Sequence, residues 1–204
     1  MLMLLSAFGV STVLLGCEEN ALPPATTSAQ HDEVYANYAV ACDHHLASRA
    51  GADILAQGGN AVDAAVAASF TLSVVRPQSC GIGGGGFMML HIPEQDPVFM
   101  DYREMCPQAI GPTYYEADEA PSPRYGHHAC AVPGTVAGLL RMHETWGALE
   151  RSDVLAPAIR IAREGWEADA THVHAVGEFL RKGKDRPNLQ AWAGSLWTIT
   201  SVHI

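Results

Sequence analysis

A run of glycines in the middle of the sequence has the spacing of a nucleotide-binding loop. The segment Gly81-Ile82-Gly83-Gly84-Gly85-Gly86 matches the pattern G-x-G-x-x-G, and Asp101 follows Gly81 by twenty residues. In a dinucleotide-binding fold this pattern joins a strand to a helix, and the N-terminus of that helix binds the pyrophosphate. Here a helical pattern precedes the glycines, and the apolar run after them ends at Pro93. The context argues against a dinucleotide site, and we predict no cofactor.

Glycines before a strand can serve another purpose. They allow a close approach of the backbone, because no Cβ stands in the way and positive φ angles cost little. Two interpretations of Gly83, Gly84, Gly85 and Gly86 stay open: direct contact with a substrate, or a tight crossing of backbone segments inside the core. We therefore predict a backbone or packing role near the functional site for these four residues.

Cysteines and histidines do not form a metal-binding pattern. Beyond Cys17, the cysteines at 42, 80, 106 and 130 are spaced 38, 26 and 24 residues apart, and no C-x-x-C pair occurs. Cysteines so widely spaced are more often buried and free than bridged or metal-bound. No two of the ten histidines have the i, i+4 spacing of a zinc-binding helix. We therefore predict no metal.

The composition is that of a globular protein without a basic surface. Apolar residues make up 48% of the 204 residues and charged residues 17%, which argues against disorder and against a coiled rod. The formal net charge is −10, and the basic residues are scattered. Nucleic-acid binding is disfavoured because there is no basic stripe to neutralise phosphates. The length fits one domain or one part of a larger protein.

The first residues have the pattern of an export signal. Residues 2–15 form an uncharged apolar run, which is short for a membrane span of about 20 residues but fits a secretory signal. The run ends in Leu14-Leu15-Gly16-Cys17, which resembles the lipobox of bacterial lipoproteins. We expect residues 1–17 to be the signal segment, Cys17 to carry a lipid anchor in the membrane, and 18–33 to be a flexible tether. The protein would then be exported to the periplasm or the cell surface. No Lys or Arg precedes the run, which departs from the usual pattern of an export signal. An ordinary signal peptide with an incidental cysteine stays the alternative.

Hydrophobic periodicity and capping residues predict helices, a β-hairpin and a long irregular segment. Asn60 is a good N-cap with Asp63 three residues later, and Gly58-Gly59 supplies the left-handed residue that commonly ends a helix. Helices are predicted at 46–57, 61–75, 135–146, from a cap at Ser152 to 164, and at 171–182. Strands are predicted at 34–42, 129–132 and, as a hairpin, 87–92 and 98–103, with an irregular excursion at 106–126.

Four segments, taken in order, resemble one protein family. They are GADILAQGGNAVDAAVAASFTLSVVRPQSCGIGGGGFMML, DYREMCPQAI, AVPGTVAGLLRMHETWG and LAPAIRIAREGW, within a region from Val40 to Trp166. This region is similar to the large-subunit half of γ-glutamyltranspeptidases, or glutathione hydrolases. The resemblance implies an α+β fold, the αββα sandwich of N-terminal-nucleophile hydrolases, incomplete because the large-subunit part alone is present. Residues 34–193 would form this region, followed by a divergent tail at 194–204.

The same resemblance implies an enzyme and a substrate-binding residue. Enzymes of this family cleave γ-glutamyl amides and pass the γ-glutamyl group to water or an acceptor amine through a threonyl acyl-enzyme. Arg103, within Asp101-Tyr102-Arg103-Glu104, matches the family's arginine that binds the substrate α-carboxylate. A planar guanidinium can hold a carboxylate through two hydrogen bonds. The alternative is an ordinary surface pair between Arg103 and Glu104.

We expect the catalytic threonine of the family to lie outside this chain. In the family it begins the small subunit, which arises by self-cleavage of the same precursor, and its own α-amine serves as the base. We therefore expect this chain to hold no catalytic residue and to be inactive alone. Its expected partners are that small subunit and γ-glutamyl compounds such as glutathione. Two alternatives stay open: a non-catalytic lipid-anchored module that binds γ-glutamyl compounds or a partner subunit, and a fragment of a related acylase.

Overall fold

A computed structural model of the chain describes residues 35–183, except 117, 118, 120 and 125. The chain divides into two units, Met1–Ala36 and Asn37–Ile204, and every described helix and strand belongs to the second. Cys17, the tether at 18–33 and the tail at 194–204 lie outside the described residues. The roles expected of them stay predictions.

Helices make up most of the described structure, and a two-stranded sheet packs beside them. The elements are α1 (His45–Ala56), α2 (Ala61–Val75), α3 (Pro77–Cys80), β1 (Phe87–Leu90), β2 (Val98–Asp101), a 3-10 turn (His127–Ala129), α4 (Thr135–Trp146), α5 (Arg151–Glu164) and α6 (Ala170–Gly183). α2 lies at the centre, in contact with α1, α4 and α5. The core consists of aliphatic side chains from these helices: Ile54, Val62, Val66, Ala67, Leu139, Met142 and Val154.

The N-terminus of α2 is fixed by the capping residues that the sequence predicts. Asn60 Oδ1 accepts hydrogen bonds from the N–H of Val62 at 2.9 Å and of Asp63 at 3.1 Å. Asp63 Oδ2 accepts in return from the N–H of Asn60 at 2.9 Å, which completes a capping box. Asp63 is fully buried and also accepts from the N–H of Ala148, so it ties α2 to the connection after α4. Gly58, with φ +91°, is the left-handed residue predicted after α1.

β1 and β2 form the predicted antiparallel hairpin, with Phe87 opposite Asp101 at the end away from the turn. Side chains alternate between the two faces of a strand. One face packs against the helical core and the other is exposed, although both are apolar. The inward residues are Met88, Leu90 and Met100, and the exposed apolar ones are Phe87, Met89 and Phe99.

Two predicted strands are wrong. The described residues 35–42 form no strand, because no described strand lies beside them to accept ladder hydrogen bonds. Val40 instead packs on Gly51 of α1. At 129–132 the 3-10 turn takes the first residue, and the pairing among the described residues is a single bridge between Met105 and Val132.

The bounds of α1, α5 and α6 differ from the predicted ones by one or two residues. α5 begins at Arg151, so Ser152 lies inside its first turn and the N-cap position is Glu150. Pro77 ends α2 as expected, but it also occupies the first turn of the short α3, which the sequence did not predict. The missed α3 has a local cause, because a proline that stops one helix is equally suited to position N1 of the next.

Candidate functional site

Arg103 is held by an extended backbone that continues β2. The N–H of Tyr102, on one side, donates to the carbonyl of Gly86 at 3.0 Å. On the other side, Met105 and Val132 exchange two backbone hydrogen bonds of 3.1 and 2.8 Å. Arg103 therefore has a fixed backbone, and its side chain, 60% exposed, projects into solvent.

The guanidinium of Arg103 has one anionic partner and one aromatic neighbour. Nε lies 2.9 Å from Glu104 Oε2, and Cζ lies 5.8 Å from the centroid of the Phe87 ring. Phe87 stacks in turn on Phe99, with ring centroids 5.6 Å apart. The surface pair considered as the alternative is thus present, with Nε as the nearest nitrogen of the guanidinium. Within the described residues, Nη1 and Nη2 have no hydrogen-bond partner.

Glu104 stays ionised beside Arg103. Its own backbone N–H, the Arg103 charge and the N–H of Gly85 lower the pKa of the Glu104 carboxyl below its ordinary value. Oε2 is buried and accepts no well-aligned hydrogen bond from any described residue, so its contact with Arg103 is an ion pair. A carboxylate fixed in this way limits the orientations that the guanidinium can adopt.

Gly84 joins the glycine run to the start of α4. Its carbonyl accepts hydrogen bonds from the N–H of Gly134 at 2.9 Å and of Thr135 at 3.0 Å. Thr135 is the first residue of α4, where a helix leaves its N–H groups without intrahelical partners. The glycine run therefore crosses directly over the N-terminus of α4.

Gly85 and Gly86 lie against the backbone and ring of the motif that carries Arg103. A Cβ on Gly85 would stand 2.6 Å from Tyr102 O, and one on Gly86 would stand 3.0 Å from the Tyr102 ring. These distances leave no room for a side chain. Gly83 is different: it is exposed, and a Cβ there would meet nothing within 4 Å.

Backbone conformation does not explain these glycines. None of the four residues 83–86 has a positive φ. What the run requires is the absence of Cβ atoms where it meets Tyr102.

Tyr102 is the residue of this region that the sequence reasoning missed. A Cβ on Gly138 of α4 would stand 2.3 Å from Tyr102 Cγ, and one on Gly134 would stand 1.9 Å from Tyr102 O. The ring therefore fits between Gly86 and Gly138, and its burial raises the pKa of the phenol. Gly134 and Gly138 lie about one helical turn apart in the sequence. This spacing was the available signal that a side chain such as Tyr102 packs closely against this part of the chain. Tyr102 fixes the backbone next to Arg103 between the hairpin and α4.

A cavity of about 580 Å³ lies elsewhere, between α1, α5 and the connection at 165–169. Neither Arg103 nor the glycine run lines it. The four cysteines of the described part are free, and no three His, Cys, Asp or Glu side chains there converge to hold a metal ion. The candidate site is thus an exposed surface around Arg103.

Comparisons with known sequences point to one family. The family model described as Gamma-glutamyltranspeptidase matches residues 47–194. A glutathione hydrolase proenzyme from Pseudomonas aeruginosa is 44% identical over 133 residues, which cover 63% of this chain and 24% of that protein. The chain therefore spans about a quarter of the length of the curated relatives it matches.

Solved structures agree with the sequence matches. The γ-glutamyltranspeptidase of Pseudomonas nitroreducens is similar with a TM-score of 0.71 and 36% identity, over 79% of this chain and 49% of that one. A cephalosporin acylase from Bacillus halodurans is similar with a TM-score of 0.62 and 31% identity, over 68% of this chain and 26% of that one. These similarities confirm the predicted α+β class of N-terminal-nucleophile hydrolases, of which the described residues form part. The chain belongs to the γ-glutamyltranspeptidase family.

Proposed function

We propose that this chain is the amino-terminal, large-subunit part of a γ-glutamyltranspeptidase, or glutathione hydrolase, that acts on γ-glutamyl amides such as glutathione. Family membership and the match to about a quarter of each curated relative support this proposal. The observation that carries it is Arg103, an exposed arginine whose Nη atoms are unpaired among the described residues.

Arg103 binds the α-carboxylate of the γ-glutamyl group. Its Nη atoms donate two parallel hydrogen bonds to the two carboxylate oxygens, a geometry that lysine cannot reproduce. Glu104 holds Nε and the Phe87 ring lies beside the guanidinium, so less side-chain freedom is lost when the substrate binds. Gly83, which is open to solvent, lets the substrate approach the backbone of the glycine run.

The groups that break the amide come from the small subunit of the same precursor. The hydroxyl of its N-terminal threonine attacks the γ-carbonyl carbon, and the α-amine of that threonine takes the hydroxyl proton. The C–N bond then breaks, the leaving amine takes the proton, and the γ-glutamyl group remains on the threonine as an ester. Water or an acceptor amine attacks the ester and releases the threonine. This chain contributes substrate binding, so we expect no turnover by the chain alone.

The test combines this chain with the small subunit of a family member and measures release of an aromatic amine from a γ-glutamyl anilide. Arg103→Lys keeps the charge but loses the paired hydrogen bonds, so KM should rise roughly tenfold or more, with a smaller change in kcat. Arg151→Lys is the matched control, because Arg151 forms a similar exposed pair with Glu144 at 2.7 Å. An unchanged KM in Arg103→Lys would make Arg103 an ordinary surface residue.

A related acylase that acts on another amide is the second candidate. The similarity to a cephalosporin acylase over 68% of the chain favours it. The same combined protein distinguishes the two when it is given N-acyl anilides that lack an α-carboxylate. An acylase would cleave them and would be insensitive to Arg103→Lys, whereas we expect the γ-glutamyl anilide to be strongly preferred.

The DNA downstream of the codon for Ile204 tests whether a small subunit accompanies this chain. We expect that DNA to encode, in some reading frame, a Thr-Thr-His segment followed by a glycine-rich small subunit. An unrelated gene directly downstream would favour the non-catalytic module instead.

We further propose that the protein is exported and held by a lipid on Cys17, in the periplasm or at the cell surface. The support is the apolar run at 2–15 and its ending in Leu14-Leu15-Gly16-Cys17. No helix in the described part of the chain has the length and apolarity to cross a membrane. Mass spectrometry of the mature N-terminus should find a diacylated Cys17. A retained Met1, or an unmodified chain cleaved at another position, would contradict the anchor.

A further inference from the structure

His44 caps α1 with an imidazole ring instead of a hydroxyl or carboxylate. Its Nδ1 accepts a hydrogen bond from the N–H of Leu46 at 3.2 Å, and its backbone is extended, as an N-cap requires. A lone pair on Nδ1 exists only in the neutral ring with its proton on Nε2. The first turn of α1 contains no acidic residue that could share this role.

The ring of His44 is buried, with 4% of the residue exposed, and it contacts two other rings. His45 stacks on it with a centroid distance of 4.6 Å, and Trp166 meets it edge-on at 5.6 Å. Trp166 lies edge-on to His172 of α6 in turn, at 4.9 Å. These contacts join the start of α1 to the connection before α6.

The charged groups around His44 form what we call the Arg76 hub: Arg76, Asp43 and Asp169. The Arg76 side chain is 6% exposed and follows α2. It donates hydrogen bonds to Asp169 at 3.0 and 2.5 Å and to Asp43 at 3.1 Å. Both carboxylates are therefore engaged by Arg76. A proton on His44 would place a new cation near Arg76 and His45.

We propose that His44 is a pH-sensitive latch on the N-terminus of α1. In its neutral form the ring caps the helix beside the Arg76 hub. In acid the protonated ring has no lone pair on Nδ1 to accept the hydrogen bond from Leu46, so the first turn of α1 opens. His44 also lines the cavity of about 580 Å³ between α1 and α5, which gives protons from the solvent a route to the ring.

The direction of the pH effect follows from the surroundings of the ring. Burial first, and then the charges of His45 and Arg76, lower the pKa of His44, whereas Asp169 and Asp43 oppose this. The unfolded chain then binds the proton more readily than the folded chain. The contribution of His44 to stability is therefore complete above the ordinary histidine pKa of about 6.5, and it is lost as the pH falls below that value.

His172 is a matched control in the same cluster. Burial lowers the pKa of His172 as well. Its Nδ1, however, lies 3.4 Å from Gln78 Oε1, an acceptor to which a protonated ring can still donate. Protonation of His172 therefore removes no capping bond from α1.

Amide hydrogen exchange of the 204-residue chain, corrected for the intrinsic effect of pH, tests the latch. In the wild type the protection of the first turn of α1 should fall about fivefold between about pH 7.5 and about pH 5, the change expected for loss of one N-cap hydrogen bond. His44→Asn keeps a capping acceptor that does not titrate, so its protection should be equal at both pH values. His172→Asn should behave as the wild type does. Constant protection in the wild type, or acid-sensitive protection in His44→Asn, would overturn the proposal.

If His44→Asn does not fold, the latch can still be tested with the wild type alone. The first turn of α2 is then the internal reference, because its acceptor is the Asn60 amide oxygen, which does not titrate. Protection should fall in acid at Leu46 of α1 and not at Val62 of α2. An equal loss at both amides would indicate general acid unfolding and would overturn the latch.

Discussion

At the scale of single residues, burial distinguishes Arg103, which we propose to bind substrate, from Arg76, which holds two parts of the fold together. Arg103 is 60% exposed and pairs with Glu104 through Nε at 2.9 Å, whereas Arg76 is 6% exposed and bonds to both Asp43 and Asp169. The motif around Arg103 singled it out as a candidate in the sequence. It could not identify the Arg76 hub, because Asp43 and Asp169 lie 33 and 93 residues from Arg76 along the chain.

The contribution of an ion pair to thermal stability can be measured at two carboxyl groups, Asp169 and Glu178. Hydrogen bonds from Arg76 and Arg181 lower the pKa of Asp169 and Glu178, each to about 2. Asp169→Asn should lower Tm by several degrees, because it removes an anion opposite a buried guanidinium. Glu178→Gln should change Tm by about a degree or less, because its pair with Arg181 lies on an exposed helix surface. Thermal unfolding by circular dichroism at neutral pH measures both, and equal effects would contradict the distinction.

The Asp169 effect should also depend on pH with a defined sign. The pKa of Asp169 in the folded protein, about 2, lies below its ordinary value of 3.8. The contribution of the Asp169–Arg76 pair to stability is therefore complete above pH 3.8 and is lost as the pH falls toward about 2. The Tm difference between the wild type and Asp169→Asn should therefore stay constant from neutral pH to about pH 5 and shrink toward pH 2. A difference that disappears before about pH 5 would show that the Arg76 pair does not set the pKa of Asp169.

At the scale of secondary-structure elements, the sequence predicted the helices correctly where contacts between neighbouring residues fix the helix ends. The bounds of α2 and α4 match their predicted ranges, because the Asn60 cap and Pro77 mark the two ends of α2 and Gly147 marks the end of α4. The segment 35–42 was wrongly predicted because a strand is defined by a partner, and apolar composition does not supply one. Tyr102 was missed for a similar reason: its contact with Gly138 is made between elements far apart in the sequence.

The contact between Tyr102 and α4 gives a prediction at this scale. Gly138→Ala should destabilise the protein by about 1–3 kcal/mol, because its Cβ would stand 2.3 Å from Tyr102 Cγ, although alanine is the better helix former. Gly177→Ala in α6 is the matched control, since a Cβ there meets nothing within 4 Å. It should stabilise by up to about 1 kcal/mol. Urea unfolding measures both, and a stable Gly138→Ala variant would mean that Tyr102 is not held against α4.

At the scale of the whole molecule, the hairpin is covered on one face only. Its inward residues pack on the helices, while Met89 is 74% exposed and Phe99, directly opposite on β2, is 60% exposed. In an αββα sandwich the face turned away from the helical layer packs against a second sheet. Within the described residues the sheet has two strands, so that second layer is not among them. The outer face of the hairpin is therefore an exposed apolar surface, of the kind that usually marks an interaction site.

We expect the chain on its own to self-associate through this face, because burial of Met89 and Phe99 against a second copy removes apolar surface from water. Met89→Lys combined with Phe99→Glu should abolish the association, since the two residues face each other across the strands and the new charges form a favourable pair. Val173→Lys combined with Ile159→Glu is the matched control: it introduces the same charges at two apolar residues that are 54% and 49% exposed on α6 and α5. Sedimentation velocity over a range of concentrations should find association in the wild type and in the control, and a monomer in the hairpin variant. A monomeric wild type, or an equal effect of the control, would show that the hairpin face is not the surface that requires a partner.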